Sequence, residues 1–179
     1  MSQKVLLNAK EVNIILHRLA CQLIEKHNDF SNTVLIGIQP RGKYLANRLT
    51  QILKDDYNIK NIQLGLLDIT FFRDDFRRGE KPLEANTTEI NFIVEDKNIV
   101  FIDDVLYTGR SFRAALTAIQ SFGRHNEIDL LTLIDRRFSR HLPIQPNYRG
   151  RQVDAINEEK VKVNWVENGG EDAVYLVNN

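Results

Sequence analysis

A chain of 179 residues, 42% of them apolar, is long enough for one domain with its own core, and no second domain is expected. Its 24 Lys and Arg balance 24 Asp and Glu, which excludes an overall field that would draw it to nucleic acid or a membrane and leaves such binding to a local patch. The single cysteine, Cys21, excludes an intramolecular disulfide framework and a multi-cysteine zinc site; no apolar run approaches membrane-spanning length, and the start MSQKVLLNAKEV lacks a signal-peptide core, so a cytoplasmic protein is expected.

Residues 5–7 form a candidate strand, and Asn8 followed three residues later by Glu11 reads as a capping box opening a helix to about His27. At about 100° per residue, Val12, Ile15, Leu16, Leu19 and Leu23 share one face. Lys10, Ile14, His17, Arg18 and Cys21 point away from it, and the two apolar members suggest a contact between copies of the chain. Residues 33–38 (TVLIGI) read as a buried strand and 41–55 as its helix, with Tyr44, Leu45, Leu49 and Ile52 inward. The turn between them carries Gln39, Pro40, Arg41 and Gly42, which is either a tight loop with a solvated arginine or an anion site; Pro40 removes one N–H donor. A third strand is expected over 62–72. Residues 73–89 (RDDFRRGEKPLEANTTE) have no sustained period and are either disordered or a lid.

Ile99, Val100, Phe101 and Ile102 suit a strand buried on both faces, ending on Asp103 and Asp104, with a short turn over 106–111 and a helix to about Gly123. Acids at a strand end are often simply solvated. Acids followed by a Thr, Gly and Ser turn into a helix also make a site for a phosphorylated sugar, the carboxylates accepting from a vicinal diol or meeting a hydrated cation while the turn donates to phosphate. A further strand over 128–134 ends on charge: Asp135, Arg136, Arg137, Arg140, His141 and Arg149 surround Leu142, Pro143 and Ile144, as a solvated basic loop on the bland reading. Residues 161–166 and 173–177 flank ENGGED as a hairpin. The chain lacks GxxxxGK[ST] and GxGxxG, its four histidines have no metal-site spacing, and it shows no nucleophile elbow, so simple NTPase, dehydrogenase and covalent hydrolase readings lose their support.

The string IVFIDDVLYTGRS resembles the phosphoribosyl diphosphate (PRPP) motif of the type I phosphoribosyltransferases. Together with DITFFRDD at 68–75 it is similar to the group of pyrimidine operon regulators that double as uracil phosphoribosyltransferases. The resemblance implies an α/β fold, a mostly parallel twisted sheet flanked by helices, with a flexible lid over about 73–89 and a small hood from about 135–179 and the N-terminal segment. It implies transfer from PRPP to uracil, giving UMP and diphosphate, with Mg²⁺. Asp103 and Asp104 would hold the ribose hydroxyls and, through water, the metal. Leu106, Tyr107, Thr108, Gly109, Arg110 and Ser111 would take the 5-phosphate, Arg41 and Gly42 the diphosphate, and Arg73 and Asp74 would ride on the lid. Asp135, Arg136, Leu142, Pro143 and Ile144 would meet the base.

Tyr107 stands where purine-type members carry a carboxylate, and a tyrosine of ordinary pKa near 10 is a poor base at neutral pH, which disfavours purines. The alternatives are a phosphoribosyltransferase for another nucleobase, or an mRNA-binding regulator of pyrimidine genes with weak catalysis, reading RNA with Lys10, Arg18, Arg137, Arg140 and Arg151. Ile14 and Cys21 interrupt that basic stripe. A homodimer or higher homo-oligomer is expected.

Overall fold

The computed structural model describes residues 3–74, 85–155 and 159–178. A parallel sheet of order β3-β2-β4-β5-β6 is built from β2 (Thr33–Ile38), β3 (Gln63–Leu67), β4 (Asn98–Leu106), β5 (Ile128–Arg137) and β6 (Tyr148–Asp154). Alternation along these strands feeds two cores. Leu35, Val100, Ile102, Leu131 and Leu133 face α1 (Ala9–His27) and α2 (Gly42–Asp55), whereas Val34, Ile36, Ile99, Phe101 and Leu130 face α3 (Arg110–Ile119). Both faces are therefore covered, which is why the inner strands β2, β4 and β5 read as largely apolar runs. The connection after β2 turns to the α2 side and that after β4 to the α3 side, so a crevice opens between these neighbours at their carboxyl ends.

The first helix forms as its sequence dictates. Asn8 Oδ1 accepts from the Glu11 N–H (3.0 Å) and Glu11 Oε2 from the Asn8 N–H (2.9 Å), a reciprocal cap whose N-terminal half alone is worth about 1 kcal/mol. Val12, Leu16, Leu19 and Leu23 are buried, while Ile14 is 57% exposed and Cys21 lies on the surface with its Sγ 3.1 Å from the Tyr57 hydroxyl. Near its end His27 is buried among Thr33, Tyr148 and Asp129, a polar knot tying α1 to the amino end of the sheet.

Several expected boundaries move. The third strand stops at Leu67, because the Asp68 carboxylate turns back to accept from the Thr70 hydroxyl (2.8 Å) and closes a 3₁₀ turn over Thr70–Phe72. Most of the expected lid, 75–84, lies outside the described residues. Its far end is docked: Leu66 and Glu89 exchange both backbone hydrogen bonds, the Asp68 N–H donates to Thr88 Oγ1 (3.1 Å), and Gln39 Nε2 donates to the Thr87 carbonyl (2.6 Å). Residues 87–89 of that stretch are thus tied to β3, Asp68 and Gln39.

The strand expected to end at Ile102 runs on to Leu106, and that expected to end at Ile134 runs on to Arg137, since their mutual ladder continues through Asp103 with Thr132 and Leu106 with Asp135. The edge strand β6 carries no apolar run in YRGRQVD; its partner β5 makes it a strand.

The hood is an antiparallel sheet of order β1-β8-β7, formed by β1 (Gln3–Leu7), β7 (Glu159–Asn164) and β8 (Ala173–Asn178). The expected hairpin is real, although Val166 leaves the strand for a 3₁₀ turn and Gly169, at φ +78°, completes the reversal. Arg48 of α2 anchors it, with its guanidinium 4.8 Å from the ring centre of the fully buried Trp165 and donating to both Glu167 (2.9 and 2.8 Å) and Asp172 (2.5 and 2.8 Å). These two carboxylates raise the Arg48 pKa above its already high ordinary value, the hydrogen bonds to Glu167 contributing most.

Candidate active site

A cavity of about 830 Å³ occupies the crevice, floored by Ile38 to Arg41 and Asp103 to Val105, with Arg73, Tyr107, Ser111 and Arg136 around it and Lys160, Val161, Lys162 and Val177 of the hood above. Gly42 makes this meeting geometrically feasible. A Cβ there would lie 2.3 Å from the Ile102 carbonyl oxygen, so only glycine lets the start of α2 sit directly on β4. Arg41 is thereby brought beside the two acids, where its charge draws both carboxyl pKa values down.

That attraction does not prevail. Burial, with the charge of Asp104 next in size, pushes Asp103 well above the usual carboxylate range; burial also raises Asp104, which is 5% exposed, against the pull of Arg41. The Asp104 N–H donates to Asp103 Oδ1 (2.9 Å), so the pair is held rigidly. Two adjacent carboxyls on the floor of a cavity, with perturbed pKa values, are poised for hydroxyl donors or, once ionised, a cation.

A smaller hollow of about 240 Å³ adjoins, lined by Asp103 and by 105–112 together with Leu130 and Thr132. Here Gly109, at φ +90°, turns the chain into α3, and Thr108 Oγ1 accepts from the Arg110 N–H (3.4 Å). The turn expected to take the phosphate runs from Tyr107 into α3, with Arg110 and Ser111 already in the helix's first turn. Leu106 is different: it closes β4 with its side chain in the core cluster, although it also borders the hollow. Thr132 escaped sequence reasoning because it sits inside an apolar strand. It is fully buried, and its Oγ1 has no partner among the described residues while lining this hollow.

Arg136 is the member of the expected base set that reaches the crevice cavity. It is 5% exposed, its guanidinium lies 4.0 Å from the ring centre of Tyr107, Nη2 donates to the Glu159 carbonyl (3.0 Å), and Nε has no partner among the described residues. Burial lowers its pKa from the ordinary value. Strand alternation sends Asp135 to the other face, where with Leu142, Pro143 and Ile144 it lines a separate groove of about 870 Å³. These four do not reach the cavity; its upper wall is the hood strands β7 and β8, expected as a hairpin but without Lys160 or Lys162 marked as site residues. Arg73 lines both hollows, whereas Asp74 is turned to α3, where Arg113 Nη2 (2.7 Å) and Arg110 Nε (3.6 Å) attract it.

The basic residues expected to read RNA are mostly engaged. Arg137 pairs with Asp154, Arg140 with Asp135, Arg18 donates to the Gly150 carbonyl and Arg151 to the Leu6 carbonyl; Lys10 is exposed on α1. Among the described residues no helix is long and apolar enough to cross a membrane.

Comparison with known proteins agrees with this geometry. The family model for the phosphoribosyl transferase domain matches residues 2–168. The bifunctional protein PyrR of Desulfosudis oleivorans is 41% identical over 95% of this chain and 93% of its own, and that of Gloeothece citriformis is 43% identical over 96% of each. Among solved structures, the hypoxanthine phosphoribosyl transferase of Trypanosoma cruzi superposes with a TM-score of 0.73 over 98% of this chain and 91% of that one, at 13% identity. The Staphylococcus aureus hypoxanthine phosphoribosyltransferase gives 0.65 over 84% and 78%, at 20% identity. Those two likenesses establish the fold. Since the family model spans nearly the whole length and both bacterial relatives are matched end to end, the chain belongs to the type I phosphoribosyltransferases, in the PyrR group.

Proposed function

We propose that this phosphoribosyltransferase joins uracil to PRPP, giving UMP and diphosphate. The observation that carries the reading is the juxtaposition, across one crevice, of half-buried Asp103 and buried Asp104, the turn after β4, Arg41 at the start of α2, and Arg136 against Tyr107. N1 of the base attacks C1 of the ribose as the C1–O bond to diphosphate breaks, so positive charge grows on the sugar and negative charge on the leaving group. The acids accept from the ribose hydroxyls and face the developing cation, while Arg41 faces the diphosphate.

Mg²⁺ fits this donor set. Among the described residues no group of three or more acids, histidines or cysteines could cage a metal, so Asp103 and Asp104 would hold it together with substrate oxygens, as this ion commonly binds. When bound it neutralises charge on the diphosphate.

The base assignment rests on hydrogen-bonding capacity. Arg136 is all donor, with an unpartnered buried Nε, and Lys160 and Lys162 add donors from the hood, which suits the carbonyl oxygens of uracil. Tyr107 offers no carboxylate to exchange a proton with a purine ring. With PRPP and Mg²⁺ supplied, turnover of uracil should exceed that of hypoxanthine or guanine by at least about 100-fold. Faster conversion of either purine would overturn the assignment.

One observation favours RNA binding as a second function. α1 packs against β6, which places Arg18 and Arg151 on neighbouring surface with Lys10 on the same helix. Replacing both Ile14 and Cys21 by lysine should leave the assembly intact in sedimentation and tighten RNA binding several-fold at low salt, an effect fading as salt rises. Dissociation without a gain in RNA affinity would mark that face as a contact between copies instead.

A further inference from the structure

Behind the phosphate turn, on the side away from the hollow, lies an assembly of side chains that the substrate reading leaves unused. Asp135 is 4% exposed near the end of β5. One of its carboxylate oxygens accepts from Arg140 Nη2, and the other lies 3.5 Å from Arg149 Nη1, which also donates to Gln152 Oε1 (2.9 Å). Held in this way, Arg140 donates through Nη1 to the Tyr107 carbonyl (2.5 Å). The next residue, His141, donates its backbone N–H to the Thr108 carbonyl (3.0 Å). Ile144 and Leu142 close the gap behind Gly109, coming within 3.2 and 3.6 Å of where a Cβ would stand.

Two consecutive carbonyls of the turn are thus drawn outward. In a planar trans peptide the C=O and the following N–H point in opposite directions, so pulling back the 107 and 108 carbonyls aims the N–H groups of Thr108 and Gly109 the other way, into the hollow. A flexible turn would lose entropy each time phosphate ordered it; a turn held beforehand does not.

We infer that Arg140, oriented by the buried carboxylate of Asp135, is a positioning residue that presets the phosphate turn for PRPP. The inference rests on the proposed PRPP site and gives Asp135 and Arg140 a role distinct from base or RNA contact. It also explains why an acid is buried behind a loop meant for an anion: Asp135 is spent on two guanidiniums, so the turn itself sees no uncompensated negative charge.

The test compares Arg140→Ala, Arg140→Lys, Asp135→Asn and wild type. PRPP affinity is measured by calorimetry with Mg²⁺, KM is determined separately for PRPP and uracil, and near-UV circular dichroism reports the fold. Loss of a hydrogen bond from a charged donor predicts a rise of about 10-fold or more in both the PRPP Kd and KM for Arg140→Ala, with the uracil KM within about twofold of wild type. Arg140→Lys keeps the charge and one donor and should recover part of the loss, and Asp135→Asn, which keeps volume and one acceptor, should cost a smaller factor. If Arg140→Ala does not fold, the two conservative variants carry the same prediction. Unchanged PRPP binding in the folded variants, equal rises for both substrates, or a rise confined to uracil would overturn the positioning role. Wild-type protein that binds no PRPP would overturn the site reading itself.

Discussion

Asp103→Asn and Asp104→Asn are each expected to cut PRPP affinity by at least about 10-fold while making the ligand-free protein more stable at neutral pH. Both effects have one cause. The wild-type carboxyls are adjacent, Asp104 buried and Asp103 half-buried, and loss of water around them raises the pKa of each above its unfolded value. Between the unfolded value, near 3.8, and the raised folded values, the native state binds more protons than the unfolded chain, so stability falls as pH climbs through that window. An asparagine keeps the shape, including the oxygen at position 103 that accepts from the Asp104 N–H, without the charge.

The variants should therefore melt at about the wild-type temperature in acid below the unfolded value. Above the window they should melt higher, by about 2–4 °C for each kcal/mol recovered. Such a gain is the usual signature of a group retained for function. Calorimetric scans from pH 3 to 8 beside PRPP titrations would check both halves; variants that bind PRPP normally would remove the diol assignment, and a stability gap that widened toward acid would contradict the burial argument.

The second large effect is structural and falls on Gly42. Its α-carbon sits so close to β4 that a methyl group would stand 2.3 Å from the Ile102 carbonyl oxygen and 3.2 Å from the Asp103 α-carbon, both backbone. No side-chain rotation relieves such a clash, so Gly42→Ala must push the start of α2 off the sheet at the level of the acids. The expected cost is about 1–3 kcal/mol or more. Because the displaced helix carries Arg41, PRPP turnover should fall further than stability alone would dictate. Denaturant unfolding and single-turnover rates measured together would separate the two. A variant of wild-type stability would mean that the approach of helix to strand is looser than described.

By contrast, Gly169 has nothing within 4 Å of a would-be Cβ, and substitution there meets only the cost of its positive φ. The two glycines show the difference between a residue required by a turn and one required by a neighbouring backbone. The first kind is visible in a sequence, flanked by Asn168 and Gly170 in a polar stretch. The second is not, because the carbonyl that forbids a side chain at position 42 belongs to a residue sixty positions away.

That difference runs through the whole chain. What the sequence determined by itself is local: the Asn8 and Glu11 cap, the apolar strands at 33–38 and 99–102, the amphipathic helices, and the juxtaposition of two acids with a Thr-Gly-Arg-Ser turn, each recorded within a few consecutive residues. Even the base-reading candidate Arg136 was legible, as the charge closing an apolar run. Direction and partnership came instead from packing between distant segments. Alternation along β5 separates Arg136 from Asp135, one into the cavity and one behind the phosphate turn, yet adjacent charged residues look alike in a sequence until a sheet gives them opposite faces. The edge strand YRGRQVD carries no apolar run and becomes a strand through its ladder with β5. Thr132 is hidden because a hydroxyl in an apolar strand has no local signal, and Lys160 and Lys162 become cavity wall only because β1, β7 and β8, from opposite ends of the chain, assemble into one sheet over the crevice. Backbone preference acts over neighbouring residues, whereas a site is an agreement among distant ones, reached when burial of the shared core fixes which face each residue shows.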